Sequence, residues 1–305
     1  MQIMSDKNPQ KDGATRRNVI KASVAATALS GFSGVAAASR RRRSDQKDNS
    51  VQGAGVEDEF TNHLDDGEFD QAFQLLEENE VEYTRVEESP DQSDISGDSD
   101  DVSDENYFNK SPSSVNFYTG VWNEERDEYG MGITWQLSQT DFFEVDGPAP
   151  DDVVALAFED DIFGYKDDSI MVDGTLSDPE SGNSVSGLST VESEPGSAAA
   201  GAPSNGAVVK FDDSRTQEDY DDDFVRENYP EASGYVQLVM RKQNTGTQGI
   251  VSGLYAHNWS YGNIGSYPIL ENVSWTIPGT GISISSPTGG DQWTLPGQDG
   301  RDEDI

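Results

Sequence analysis

From residue 107 almost to the C-terminus the chain is cut into short aromatic and β-branched runs, with Gly, Pro, Asp or Asn between them. Runs of about four to eight such residues bounded by turn formers read as strands. The candidates are 115–122, 131–138, 153–158, 169–174, 184–191, 207–212, 234–242, 250–261, 272–277, 281–286 and 292–295. Val236-Gln237-Leu238-Val239-Met240 is apolar on both faces, as a central strand requires, whereas Ile282-Ser283-Ile284 alternates simply. Many short strands with little helical periodicity predict a mainly β fold, an antiparallel β-sandwich or jelly-roll-like domain over 107–296. A region of ~190 residues can bury a core without covalent staples.

The segment before it has a different grammar. Phe60 and Leu64 are four apart, and after Asp66-Gly67 come Phe69, Ala72, Phe73 and Leu76 at i, i+3, i+4 and i+7. That spacing lays apolar side chains on one helical face. Residues 57–86 therefore read as a short helical hairpin, marginal alone and in need of a surface to dock on, either the β domain or a partner. Residues 87–106 are Ser, Asp and Glu with almost no apolar content and read as an acidic disordered linker. Residues 39–56 read as a flexible basic and polar tail, and 297–305 as an acidic tail.

The linker holds one metal-like spacing. Asp94, Ser96, Asp98 and Glu105 occupy positions 1, 3, 5 and 12 of a calcium loop. Ser99 stands where that loop needs Gly, and flanking helices are missing, so the spacing reads as chance in an acidic stretch.

Near the N-terminus, Thr15-Arg16-Arg17-Asn18-Val19-Ile20-Lys21 is followed by a weakly apolar run from Ala22 and then Ala36-Ala37-Ala38. This resembles a twin-arginine (Tat) signal peptide, with Val-Ile where Phe-Leu is commoner and an A-x-A cleavage site. The resemblance assigns residues 1–38 to the signal, Arg16 and Arg17 to recognition by the Tat export machinery, and a start near Ser39 to the mature chain. It also implies a protein that folds before it crosses. The run from Ala22 to Ala38 is shorter and less apolar than the ~20 residues of a spanning helix, so no stable transmembrane helix is expected.

Charge narrows the setting. The chain carries 58 acids and 20 bases. Losing residues 1–38 removes two acids and five bases, leaving a net of −41. After Lys47 only Lys110, Lys166, Lys210 and Lys242 remain as lysines. Such a chain repels itself in dilute buffer, and molar salt shortens the screening length to about 3 Å. Together with the export motif, this composition resembles uncharacterised secreted proteins of haloarchaea, a likeness that brings no activity with it. The location it implies is secreted, extracellular or cell-surface-associated. No nucleic-acid partner is expected, because phosphate binding needs basic patches that this composition lacks. Cysteine is absent, which removes disulfides, thiol catalysis and Cys-based metal sites.

Chemistry has few places to sit. His63 lies among acids in the first helix and reads as a surface residue. Tyr255, His257, Trp259 and Tyr261 recur every second residue and share one strand face. Such a row is either the inner face of the sandwich or a platform for stacking on sugars. No G-x-S-x-G and no H-E-x-x-H occurs. Carboxylate pairs for glycoside hydrolysis are guaranteed by composition and so say little. Glu159-Asp160-Asp161 and Asp221-Asp222-Asp223 read as solvated surface able at most to bind Ca2+ weakly; no cofactor is expected and no metal ligand set is assigned. Asn109, Asn258 and Asn272 begin N-x-[ST] glycosylation sequons.

The expectation is therefore a non-enzymatic extracellular binding or interaction module, with a cell-surface glycan or surface-layer protein as partner. The alternatives are a carbohydrate-active protein, either a glycan-binding module or a carboxylate glycosidase, and a secreted toxin or immunity protein.

Overall fold

The computed structural model describes residues 48–88, 109–138, 151–179, 181–196, 205–212, 229, 231–244, 249–260, 273–275, 282–284, 290–295 and 301–304; for 88, for 109–112 and for the residues after 257 it describes the backbone alone. Three helices come first: α1 (Val51–Ala54), α2 (Glu57–Asp65) and α3 (Phe69–Glu78). A first sheet, A, has the order β1-β2-β3-β10-β6-β7, with β5 also paired to β10. Its strands are β1 (Tyr83–Glu88), β2 (Asn109–Asn123), β3 (Glu128–Ser138), β5 (Phe163–Tyr165), β6 (Met171–Asp178), β7 (Asn183–Val185) and β10 (Glu231–Lys242). A second sheet, B, has the order β14-β11-β4-β9-β8, with β15 also paired to β11. It is built from β4 (Asp152–Phe158), β8 (Ser189–Ser193), β9 (Gly206–Phe211), β11 (Ile250–Ser260), β14 (Gly290–Leu295) and β15 (Arg301–Asp304). A separate two-stranded ribbon joins β12 (Val273–Trp275) to β13 (Ile282–Ile284). Every described pairing is antiparallel, so the fold is mainly β as the run pattern predicts.

The two large sheets pack face to face. Met131, Ile133, Trp135 and Leu137 of β3 and Val236, Leu238 and Met240 of β10 meet Val154, Leu156 and Phe158 of β4, Val209 and Phe211 of β9, and Val251 and Tyr255 of β11. The period of two is what sends each set to one side.

Sheet A is covered on its other face as well. Tyr118 and Trp122 of β2 and Tyr235 and Val239 of β10 point away from sheet B and bury against Phe60, Leu64, Phe69, Phe73 and Leu76 of the helices. The buried residues of α3, namely Phe69, Ala72, Phe73 and Leu76, are those of the predicted apolar face. The helical pair thus finds its docking surface within the chain, on sheet A. Facing it, β3 presents small residues. A Cβ on Gly132 would stand 2.5 Å from the Tyr118 hydroxyl oxygen, so Tyr118 lies across bare backbone there. In sheet B, Val153, Ala155, Leu254 and Ala256 are fully buried although their parity points them away from sheet A, and β13 lies against β11 and β4.

Four expected boundaries differ. The tail expected over 39–56 is ordered from residue 48: the Ser50 hydroxyl accepts from Gly53 N and caps α1, and Val51 and Val56 enter the helix–sheet core. Two apolar residues give no periodicity, which is why the sequence reads as tail. The helical hairpin expected through 86 ends at Glu78, and Tyr83–Glu88 pairs instead with β2. The run 184–191 is two strands in different sheets, separated at Gly187, whose φ of 75° takes the chain from one sheet to the other. Part of the acidic tail expected over 297–305 forms β15 on β11. The linker expected over 87–106, apart from its first two residues, and the calcium-like spacing within it lie outside the described residues, as does Asp221-Asp222-Asp223.

Candidate functional site

Where β4 begins and β11 nears its end, three polar side chains meet inside the sandwich. Asp152 has the same parity as Val154, Leu156 and Phe158, so the strand alternation that builds the core also drives a carboxylate into it. Its Oδ1 lies 2.8 Å from His257 Nδ1, and its Oδ2 accepts from the Tyr255 hydroxyl. Tyr255 and His257 are two apart on β11 and share its inward face. All three are at most 1% exposed. Trp135 stands over Tyr255 with ring centroids 5.4 Å apart, and Phe211 lies at the same distance from Trp135. A buried carboxylate is tolerated only when donors surround it, and this one has two neighbouring strand residues supplying them.

An Asp–His pair of this kind is the orienting half of an acid–base relay. For catalysis the imidazole must also reach a substrate, and a ring that is 1% exposed between two sheets has no substrate-facing side. The same burial corrects the platform reading at Tyr255 and His257, because a ring enclosed by core side chains offers no face for a sugar to stack on. Trp259 is described by its backbone, which pairs with Asp291, and Tyr261 lies outside the described residues. Residue type and spacing point to the row, but only the parity of Asp152 reveals the third member: an acid opening the apolar run 153–158 in phase with its inward residues.

A second buried carboxylate closes the opposite sheet. Glu128 opens β3 and is fully buried; Arg241 Nη2 lies 2.7 Å from its Oε1 and Lys166 Nζ 3.0 Å from its Oε2. Burial alone would raise this carboxyl, but the hydrogen bonds from Arg241 and Lys166 outweigh it and hold the group below its usual range. On sheet B, Lys210 Nζ contacts Asp151 Oδ2 at 2.6 Å. Burial raises Asp151, while Lys210, which burial would lower, is held above its ordinary value by that carboxylate. Among the described residues, Lys166, Lys210 and Arg241 are thus held at fixed positions. Lys242 sits over the Tyr129 ring, and Arg85 lies 4.4 Å from the centroid of Phe73.

The remaining candidates separate. His63 Nδ1 lies 2.8 Å from Glu68 Oε2 on the helical layer. Glu159 accepts from Ile250 N at 3.3 Å and so ties β4 to β11. Among the described residues no three His, Asp or Glu gather as a metal-binding group, and no helix is long and apolar enough to cross a membrane. Asn109 opens β2 opposite Ser138 and Asn258 pairs with Gln292; Asn272, Arg16 and Arg17 lie outside the described residues.

The class defined by this architecture is an antiparallel β-sandwich carrying a helical layer on one sheet. No family model matches the chain, and no curated protein matches it. Among solved structures, the C-terminal domain of the AgI/II polypeptide BspA from Streptococcus agalactiae is similar at 7% identity with a TM-score of 0.22, over 49% of this chain and 55% of that one. A likeness of that size bears on neither site nor activity.

Proposed function

We propose that this chain is an exported, salt-adapted protein that acts by binding, as an extracellular or cell-surface interaction module, and not by catalysis. The observation that carries the reading is the enclosure of Asp152, Tyr255 and His257. The one histidine with a buried acid partner is committed to holding β4 to β11, and the other, His63, pairs with Glu68 on a helix. The twin-arginine resemblance at Arg16 and Arg17 and the excess of 58 acids over 20 bases support export and a saline medium. The partner class is a cell-surface glycan or a surface-layer protein.

The test is a screen of the mature chain in molar KCl against envelope glycans and surface-layer protein, run beside hydrolysis assays on the same glycans. Saturable binding without turnover is the expected result. Turnover of any glycan overturns the reading in favour of a glycosidase, and no binding to either class removes the cell-surface partner. Export is tested separately with Arg16→Lys/Arg17→Lys in a salt-adapted archaeal host, where the double variant is expected to stay in the cytoplasm. Undiminished secretion would remove the twin-arginine route.

A further inference from the structure

The outward face of sheet A changes character along its strands. Under the helices it carries Tyr118, Trp122, Tyr235 and Val239. Toward the other end, the registers set Ser114, Gln136, Ser233 and Thr175 in one row across β2, β3, β10 and β6. Ser138, Glu231, Ser177 and Ser184 form the next row, across β3, β10, β6 and β7. Their chain neighbours Val115, Leu137, Ala232 and Leu176 belong to the inter-sheet core, so both rows face away from sheet B. Gln136 and Ser184 are exposed and the other six are half-buried. The turn between α2 and α3 reaches the first row: a Cβ on Gly67 would lie 3.3 Å from the Ser233 hydroxyl oxygen.

The side chains of this patch answer to neither burial nor salt adaptation. Where the helix starts and hairpin turns of the chain meet solvent they show carboxylates, as at Asp58, Glu59, Glu124, Glu125, Asp160 and Asp161. The two rows instead carry six hydroxyls, one amide and one carboxylate, with no cation and no apolar side chain. Exposed Asp66 and Glu68 flank Gly67 at the margin toward the helices.

We infer that this patch is a ligand-binding face and that it takes a neutral, polyhydroxylated glycan. The inference rests on the binding reading above and narrows its partner class. Chemistry selects the occupant. An anionic glycan or a nucleic acid would bring its charge to a patch without a cation, against Glu231 within it and Asp66 and Glu68 at its margin. A protein partner calls for an apolar or aromatic centre, which these eight polar side chains do not provide. Sugar hydroxyls donate and accept at once, and so match hydroxyl and amide groups, with Glu231 as an acceptor for more than one donor. Strand spacing of about 4.8 Å makes each row about 14 Å long, which suits a run of glycan better than a single ring. Hydrogen bonds between neutral groups persist in molar salt, where contacts between charges are screened.

The test measures binding of the mature chain, in molar KCl, to a soluble neutral mannan, a neutral glucan, polygalacturonate and surface-layer protein. Saturable binding to a neutral polymer and none to polygalacturonate is the expected result. Gln136→Ala/Thr175→Ala/Ser233→Ala removes three groups of the first row and is expected to weaken that binding by about tenfold or more, as the loss of three ordinary hydrogen bonds requires, with an unchanged melting temperature. Ser138→Ala/Ser177→Ala/Ser184→Ala does the same on the second row and gives an independent readout should the first variant unfold. Glu124→Ala/Glu125→Ala, at the β2–β3 turn on the far end of sheet A, is expected to bind as the wild type does. Neutral-glycan binding that survives both triple variants overturns the inference and leaves the binding reading in place. So does a preference for polygalacturonate, or binding to surface-layer protein with none to either neutral polymer. A chain that binds none of the four overturns both.

Discussion

Between the sheets, Trp135, Phe211 and Tyr255 pack at centroid separations of 5.4 Å around a buried carboxylate. Beneath the helices, Phe60, Phe73, Tyr118 and Trp122 meet edge to face at 5.2–6.4 Å, the Tyr118 hydroxyl donates to Gln237 Oε1 at 2.7 Å within the layer, and further polar ties sit at the rim. There the Tyr235 hydroxyl donates to Asp65, Arg85 Nη2 donates to Asp70 at 3.0 Å and Asn123 Nδ2 to Gln52 at 2.6 Å. The inter-sheet core hides a carboxylate; the layer beneath the helices hides a neutral hydroxyl–amide pair and is further stitched along its border. The difference follows from how each is closed. Two sheets aligned face to face leave strand ends where inward parity continues past the apolar run, and an acid there must be satisfied internally. Short helices lying on a sheet leave an open margin, where side chains reach across to fix their position.

If both cores belong to one cooperative unit, a cavity in either should lower the stability of the whole. Phe73→Ala and Trp135→Ala are each expected to cost about 3–5 kcal/mol, read by denaturant unfolding in molar KCl. A Phe73→Ala protein that loses helix signal in a separate, earlier step would break the comparison and make the helices a detachable cap.

Gly132→Ala probes the margin between the layers. Its Cβ would meet the Tyr118 hydroxyl oxygen at 2.5 Å and Val236 O at 2.6 Å, and overpacking of this kind costs about 1–3 kcal/mol. Tyr118→Ala removes both the hydroxyl oxygen and Cζ, the latter 2.6 Å from the added Cβ, so the double change should cost less than the sum of the two single ones. Strict additivity would place the clash with the backbone alone.

Glu128→Gln sharpens the contrast between buried and rim charge. It leaves Arg241 and Lys166 without their anion, at an expected ~1–3 kcal/mol. The sign of its pH dependence follows from the lowered carboxyl. Its contribution is full above about pH 4–5 and is lost as pH falls through the folded value. An acid titration of stability should therefore be shallower in Glu128→Gln than in the wild type.

The smallest effect belongs to the rim. Tyr235→Phe removes the bond to Asp65 for about 1 kcal/mol. Burial, then the bond to Asp65, raises the Tyr235 phenol, and burial raises Tyr118. Raised phenols contribute stability below about pH 10 that is lost as pH rises toward the folded values. Alkaline melting curves of Tyr235→Phe should accordingly fall less steeply than those of the wild type.

Much of this was legible in the chain. The runs 131–138 and 234–242 are the strands β3 and β10, Val236–Met240 is buried on both faces as its composition requires, and the i, i+3, i+4, i+7 set of α3 is the set that buries. What escaped is local sequence whose meaning depends on a distant neighbour. Asp152 reads as one of 58 acids until β11 brings Tyr255 and His257 to it. Tyr83–Glu88 has too few apolar residues to announce a strand, and becomes one because β2 offers it an edge.

The sequence by itself determined the β class, the helical face, the acidic surface and the lack of any cysteine-based chemistry, because periodicity and composition are local properties. Tertiary structure decided which surface the helices cover, which strands share a sheet, and that Tyr255 and His257 lie inside. Those outcomes rest on pairings between residues as far apart as Asp65 and Tyr235, and no local pattern carries the register of two distant strands.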